Sequence, residues 1–168
     1  MNIKLRKIKK SDLKYFLVWW KDKYLVKLTS GFYEKSDEVL TNYFLDIFKN
    51  IKDHHYIIQY GAKVIGHVVL KYKSKNIFEI QIVIGEKKYW GKGIGSEAIK
   101  MAVKIAFEKF GYTKAYLEVR PNNLRAIKAY KSCGFLKKGF KKYLQNKYKP
   151  ITLKMEINKK RLFTPRGI

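Results

Sequence analysis

An apolar, β-branched run, Ile77-Phe78-Glu79-Ile80-Gln81-Ile82-Val83-Ile84, leads into Trp90-Gly91-Lys92-Gly93-Ile94-Gly95. A helical pattern then places Ile94, Ala98, Met101, Ala102 and Ile105 on one face. This order of strand, glycine turn and helix is restrictive. The glycines let the backbone approach a ligand with its N–H groups turned outward, and the helix N-terminus adds the positive end of its dipole, so the segment reads as a pyrophosphate site. Three kinds of fold build such a loop. A Walker A loop needs four residues between its first glycine and the Gly-Lys-Ser/Thr group, whereas Gly85 to Gly91 leaves five and Lys92 is followed by Gly93. That argues against an NTPase. A dinucleotide fingerprint can be stretched over Gly91-x-Gly93-x-x-Ser96, with Glu118 as the ribose-binding acid, but such a fold needs a succession of βαβ units. The sequence before the loop does not supply them.

What precedes the loop is a different pattern. Ile3, Leu5 and Ile8 form a strand-like opening, and Ser11 is positioned to cap a helix bearing Leu13, Phe16, Leu17 and Trp20 on one face. A loop through Thr29, Ser30 and Gly31 leads to a second helix from about Asp37, with Leu40, Tyr43, Phe44, Ile47, Phe48 and Ile51 at helical spacing. Three antiparallel strands follow, at Tyr56 to Ile58, Lys63 to Tyr72 and Ile77 to Ile84. After the glycine turn and its helix, Tyr116 to Val119 is a further strand. Pro121-Asn122-Asn123 opens a helix carrying Ala126, Ile127 and Tyr130, and Gly134 supplies its left-handed cap. Phe135 to Leu144 and Tyr148 to Ile157 read as a closing hairpin over Gln145-Asn146-Lys147. One domain over residues 1–158 is expected, with 159–168 as a mobile tail lacking apolar periodicity.

Composition narrows the function classes without choosing among them. The chain has 168 residues, enough for one core, with 38 Lys and Arg against 13 Asp and Glu, a net charge of +25. Such a surface attracts polyanions, so a non-catalytic RNA- or DNA-binding module is the leading alternative to an enzyme. Cys133 is the one cysteine. That excludes an internal disulfide and a cysteine-based zinc site, and its place three residues after Tyr130 reads as a buried, inert thiol. His54, His55 and His67 lack ligand spacing, and no metal is expected. Neither a signal-peptide core nor a membrane-length apolar run is present, so a cytoplasmic protein is expected.

The glycine loop, together with Asn123-Leu124-Arg125-Ala126-Ile127-Lys128-Ala129-Tyr130-Lys131-Ser132-Cys133-Gly134-Phe135, resembles the GNAT superfamily of acyl-CoA N-acyltransferases. The family's phosphate loop runs Gln/Arg-x-x-Gly-x-Gly/Ala, and its second segment Asn-x-x-Ala-x-x-x-Tyr-x-x-x-Gly-Phe. Gly93 and Gly95 match the small positions, while Trp90 stands where Gln or Arg is usual. The resemblance implies an α+β, three-layer fold with a mostly antiparallel mixed sheet of about seven strands flanked by about four helices. It also implies acetyl-CoA as cosubstrate and a primary amine as acceptor. Cosubstrate contacts would fall to Ile82, Val83, Ile84, Trp90, Gly91, Lys92, Gly93, Ile94, Gly95, Ser96, Asn123, Ala126 and Tyr130, with added charge from Lys87 and Lys88.

Tyr130 would protonate the departing thiolate. An ammonium has no lone pair, so a base must act on the amine. Glu79, an acid that is costly in an apolar run unless paired or used, is the candidate, and Gln81 on the same face would line the acceptor pocket with Glu34. The branch most similar in look holds ribosomal-protein N-terminal acetyltransferases and spermidine acetyltransferases. This leaves a protein N-terminus, a polyamine or an amino sugar as acceptor, and a homodimer as an expected assembly.

Overall fold

The β-branched alternation after residue 54 becomes the centre of a seven-stranded sheet. In this computed structural model, which describes residues 2–29, 34–146 and 151–160, the strands are β1 (Ile3–Lys7), β2 (His54–Tyr60), β3 (Lys63–Ser74), β4 (Ile77–Ile84), β5 (Lys114–Val119), β6 (Leu136–Lys142) and β7 (Ile151–Asn158). Their order is β1-β2-β3-β4-β5-β7-β6. Every neighbouring pair is antiparallel except β4 and β5, which run parallel and are joined by the long helix α4 (Ile94–Lys109). The other helices are α1 (Leu13–Lys21), α2 (Lys23–Thr29), α3 (Asp37–Lys49) and α5 (Leu124–Ser132).

Period-two alternation divides β4 between two cores. Phe78 and Ile80, with Ile82 and Ile84 less deeply, face α4 and pack with Ile94, Ala98, Ala102, Ala106 and Phe107. Val83 points the other way, into a cluster of Phe16, Trp19, Leu25, Phe44 and Ile57 beneath α1 and α3. Helix, sheet and helix therefore make three layers, as expected for the α+β arrangement.

Three local readings are corrected. Thr29, assigned to a loop, instead ends a helix over Lys23–Thr29, a segment given no element from the sequence: Asp22 Oδ1 accepts from the backbone N–H of Tyr24 (3.0 Å) and Leu25 (3.1 Å), capping α2, whose Leu25 and Val26 are buried. Among the described residues five α-helices therefore accompany the sheet, where about four were expected. Ser11 does not cap α1; it lies in a short 3-10 turn, Lys10–Asp12, and the polar anchor is Asp12. Trp19 rather than Trp20 is the deeply buried indole, at 5% exposure. Its ring lies so close to Gly85 that an added Cβ there would come within 2.1 Å of the indole nitrogen. Ser30, Gly31, Lys147, Tyr148 and tail residues 161–168 lie outside the described residues.

Asp12 is 1% exposed. Its carboxylate receives Arg6 through both guanidinium arms, at 2.6 and 2.8 Å, and the Lys9 N–H at 2.7 Å. Burial alone would raise its pKa; the Arg6 and Lys9 hydrogen bonds outweigh that and hold it below the ordinary value of 3.8.

Two outcomes are expected. Asp12→Ala loses about 1–3 kcal/mol in urea unfolding at pH 7. Because the folded pKa is depressed, this contribution is complete above the unfolded value and fades as pH falls through the folded one, so the gap between wild type and variant narrows below about pH 3.8. Gly85→Ala drives a methyl into the buried Trp19 ring and costs about 1–3 kcal/mol. A thermal midpoint unchanged from wild type would show that the ring can move aside.

Candidate active site

The parallel pair β4 and β5 is joined over only three residues, Ile77–Glu79 against Lys114–Tyr116. β4 then continues to Ile84 and β5 to Val119 without pairing to each other, although β3 and β7 hold their far sides along their length. Two strand edges thus diverge and face each other across a cleft. Unpaired backbone donors and acceptors in such a place call for water or a ligand carrying amides of its own. Ile82, Val83 and Ile84 lie on the β4 side of this cleft.

At its wide end the chain reverses through Gly85, Glu86 and a 3-10 turn at Lys87–Tyr89, and Trp90 follows in extended conformation. Gly91 and Gly93 adopt φ of +75° and +74°, a region that side-chain-bearing residues enter only at a cost. Gly93 is the N-cap of α4, and no side chain caps the helix. The first N–H groups of a sixteen-residue helix, at Ile94, Gly95 and Ser96, are therefore presented beside Lys92 with no capping side chain in the way, a geometry suited to an anion. A Cβ added at Gly91 would meet nothing within 4 Å, whereas one at Gly95 would sit 3.7 Å from Ile84 Cγ1, an ordinary contact. Lys87 is engaged elsewhere, 2.7 Å from Asp22, and Lys88 and Lys92 both lie over the Tyr89 ring.

α5 closes the other bank. Asn123 is its N-cap, with Oδ1 accepting from Ala126 N at 3.2 Å. Cys133 Sγ donates to Ser96 O at 3.3 Å, and the hydroxyls of Ser96 and Ser132 are 3.3 Å apart, so the ends of α4 and α5 are pinned together. Tyr130, 8% exposed, packs edge-on against Phe135. Burial, with the Cys133 thiol adding to it, pushes its phenol up to about 12.

Glu79 lies where the two strands part, on the sheet face away from α4, with its side chain 13% exposed. It is surrounded by hydrogen bonds: Lys73 Nζ at 2.8 Å, Gln81 Nε2 at 2.8 Å and the Tyr116 hydroxyl at 3.4 Å. Burial alone would raise its pKa, yet Lys73 and Gln81 hold it below the usual carboxylate range. Sequence reasoning paired Glu79 with Gln81 but had no signal for Lys73, which reaches the site through the β-bulge between Tyr72 and Ser74, or for Tyr116 on the next strand.

Other expected residues fall further out. Glu34 is 69% exposed and paired with Lys23 at 3.1 Å, and no described contact links it to Glu79. Asp37 and Glu38 occupy the first turn of α3 behind the Ser36 cap, the ordinary place for helix-start acids. Glu118 is no ribose ligand here; it accepts from Tyr143 (2.6 Å) and Thr152 (2.8 Å), tying β5 to the β6–β7 hairpin. His55 Nδ1 and His67 Nε2 are 3.0 Å apart, and His54 stacks on Phe110. Among the described residues no group of three or more potential ligands could hold a metal, and no helix is long and apolar enough to cross a membrane.

A family model for the acetyltransferase (GNAT) domain matches residues 2–136. The spermidine N(1)-acetyltransferase of Vibrio cholerae is 30% identical over 110 residues, 64% of this chain and 62% of that protein. The chain spans 15% to 62% of the length of the curated relatives it matches first. Among solved structures, spermidine N-acetyltransferase from Vibrio cholerae in complex with CoA and spermine aligns with a TM-score of 0.85 at 20% identity, over 97% of this chain and 99% of that one. Aminoglycoside acetyltransferase AAC(6')-Ib in complex with coenzyme A aligns with a TM-score of 0.84 at 18% identity, over 98% and 99%. At these identities the likeness is one of fold. The family model spans the divergent strands, the glycine loop and α5, and the chain belongs to the GNAT acetyltransferase domain family.

Proposed function

We propose that this chain transfers an acetyl group from acetyl-CoA to a primary amine by direct attack. The observation that carries the reading is the cleft between β4 and β5, which ends at an α4 N-terminus without a side-chain cap. An extended arm bearing amides can hydrogen-bond to the edge at Ile82, Val83 and Ile84, where the Ile84 carbonyl already accepts from the Trp90 indole. Its diphosphate can sit on the amides of Gly91 to Ser96, since the Trp90 N–H expected to join them is instead donated to Lys87 O at 3.0 Å, with Lys92 adding charge. Asn123 uses its Oδ1 on Ala126, leaving its amide donors for the arm, and Ala126 keeps that bank of the cleft low.

The thioester supplies an already activated acyl group, so positioning and proton handling suffice for the chain. The amine nitrogen attacks the thioester carbon, the C–S bond breaks, and an amide forms. Glu79, ionised and fixed by Lys73 and Gln81, draws on the amine's N–H and passes its proton to water. Tyr130, whose phenol stays protonated, donates a hydrogen bond and then the proton to the departing thiolate. For the acceptor, the family relatives named for spermidine and aminoglycosides support a small amine. A protein N-terminus is the other acceptor class, favoured by the basic surface if the target is associated with RNA.

Saturating acetyl-CoA is expected to raise the thermal midpoint by about 5–10 °C, with no comparable shift from ATP or NAD. An RNA oligonucleotide that stabilises the protein while acetyl-CoA does not would overturn the proposal in favour of a nucleic-acid-binding module. Within the loop, Gly93→Ala forces a left-handed alanine at about 1–2 kcal/mol and weakens CoA binding, while Gly95→Ala leaves both nearly unchanged.

Glu79→Gln is expected to lower kcat/KM about a hundredfold while leaving the pH profile where it was. The sign follows from the depressed pKa: above 4.5 the carboxylate is already ionised, so the rise of rate with pH belongs to the acceptor's own ammonium. A limb that moves with the substitution would mean a carboxyl titrating near neutrality. Tyr130→Phe should lower kcat by a similar factor without changing the dissociation constant for CoA, and equal losses in both would reduce Tyr130 to a packing residue.

A further inference from the structure

We infer that Arg125 binds the phosphates of the acyl donor and that Trp90 is the plate that holds it in readiness, an inference that rests on the acetyl-CoA reading above. The Arg125 guanidinium carbon lies 3.6 Å from the centroid of the Trp90 ring. The other cation–ring contacts among the described residues, all from lysines, lie at 4.6 to 5.9 Å. Trp90 is itself fixed, donating Nε1–H to Ile84 O at 2.7 Å, with Tyr24 alongside. Trp90 follows β4 and Arg125 follows β5, so the stacked pair spans the cleft at the end where the glycine turn lies.

Two features point from this contact to an anion. Arg125 stands in the first turn of α5, which contains no acidic residue, and a cation there meets the positive end of the helix dipole. Among the described ion pairs none involves Arg125. The position therefore costs the helix something that no neighbouring carboxylate offsets. A guanidinium held over a ring still has its N–H donors in its own plane, where they can grip a phosphate bidentately. Close contact with the Trp90 ring restricts the long side chain before the ligand arrives, lowering the ordering cost of binding. Trp90 supplies no anion-binding group of its own; it acts by aiming the cation of α5 across the cleft.

The test compares wild type, Arg125→Ala, Arg125→Lys and Trp90→Gln, measuring CoA dissociation constants by calorimetry at two salt concentrations. Steady-state turnover is measured with acetyl-CoA and with S-acetylpantetheine, a donor that lacks the diphosphate. Arg125→Ala is expected to weaken CoA about ten- to a hundredfold, to flatten the salt dependence of CoA binding, and to lower the ratio of kcat/KM for acetyl-CoA over acetylpantetheine by the same factor. Arg125→Lys, keeping charge without the planar fork, should recover part of the loss, and Trp90→Gln should lose less than Arg125→Ala. An unchanged CoA dissociation constant and salt slope in Arg125→Ala would overturn the inference. So would equal losses with both donors, which would mark a structural role. Failure of the wild type to bind CoA or to acetylate any amine would instead strike the proposed function, so the two failures are distinguishable.

Discussion

Everything that gives this molecule a site follows from two parallel strands that part after three pairs. β4 is held along its length by β3, and β5 by β7, so neither can bend back to close the ladder beyond Glu79 and Tyr116. The sheet twist carries them apart. Their open edges are a standing demand for hydrogen bonds, and a strand-like ligand is the natural way to meet it. The same divergence places the end of β4, the glycine turn and the start of α4 on one bank, and α5 on the other. The banks are kept in register from behind by Cys133, Ser96 and Ser132.

Charge is distributed with a matching logic. A chain of net charge +25 has few carboxylates to spend, and several sit half-hidden on the sheet. Glu79, Glu118 and Glu156 have side chains 13%, 10% and 12% exposed, each paired with lysine. Alternate positions on β5 and facing positions on β4 and β7 put all three on one face of the sheet. The excess lysine is left to the surface, where a basic field aids capture of any phosphate-bearing substrate. Such a field is indifferent to which phosphate arrives. Selection has to come from the shape of the cleft and the direction of its donors.

The long, periodic elements were legible in the sequence because their signals are local. The α4 face, the three strands up to Ile84, the Asn123 cap and the Gly134 terminator each lie within a few residues of their cause. α2 escaped notice because seven residues containing Val26 and Thr29 carry too little periodicity, and its cap, Asp22, looked like any surface acid. Trp19 and Trp20 could not be ranked without knowing that Gly85, far along the chain, leaves a space for one ring. Ser11 reads as the cap from local sequence because Asp12 finds its partner, Arg6, on the preceding strand. In the candidate site, the pairing of Glu79 with Gln81 was legible from strand alternation. Lys73, Tyr116 and Arg125 were not, since a bulge, a parallel crossover and a cleft bring them in. The place of β7 between β5 and β6 has no local signature at all.

The opposite displacement of the two candidate proton-handling groups has a consequence for acceptor choice. Glu79 is held below its ordinary range and Tyr130 is pushed up to about 12, so across the neutral range the first stays ionised and the second protonated. On the proposed reading the enzyme brings a fixed protonation pattern to the reaction, and the acceptor amine alone changes with pH. An α-amino group, with pKa of about 7.7–8.0, has roughly a tenth of its molecules neutral at pH 7, while an alkyl ammonium near 10.4 has fewer than about one in a thousand. A carboxylate of low basicity cannot erase a difference of that size by proton abstraction alone. It can narrow it by attracting the ammonium into a partly desolvated pocket and stabilising the positive nitrogen that forms on attack. The intrinsic ranking of amines should therefore remain visible in turnover, with affinity for additional cationic groups as the means by which a more basic amine could compete.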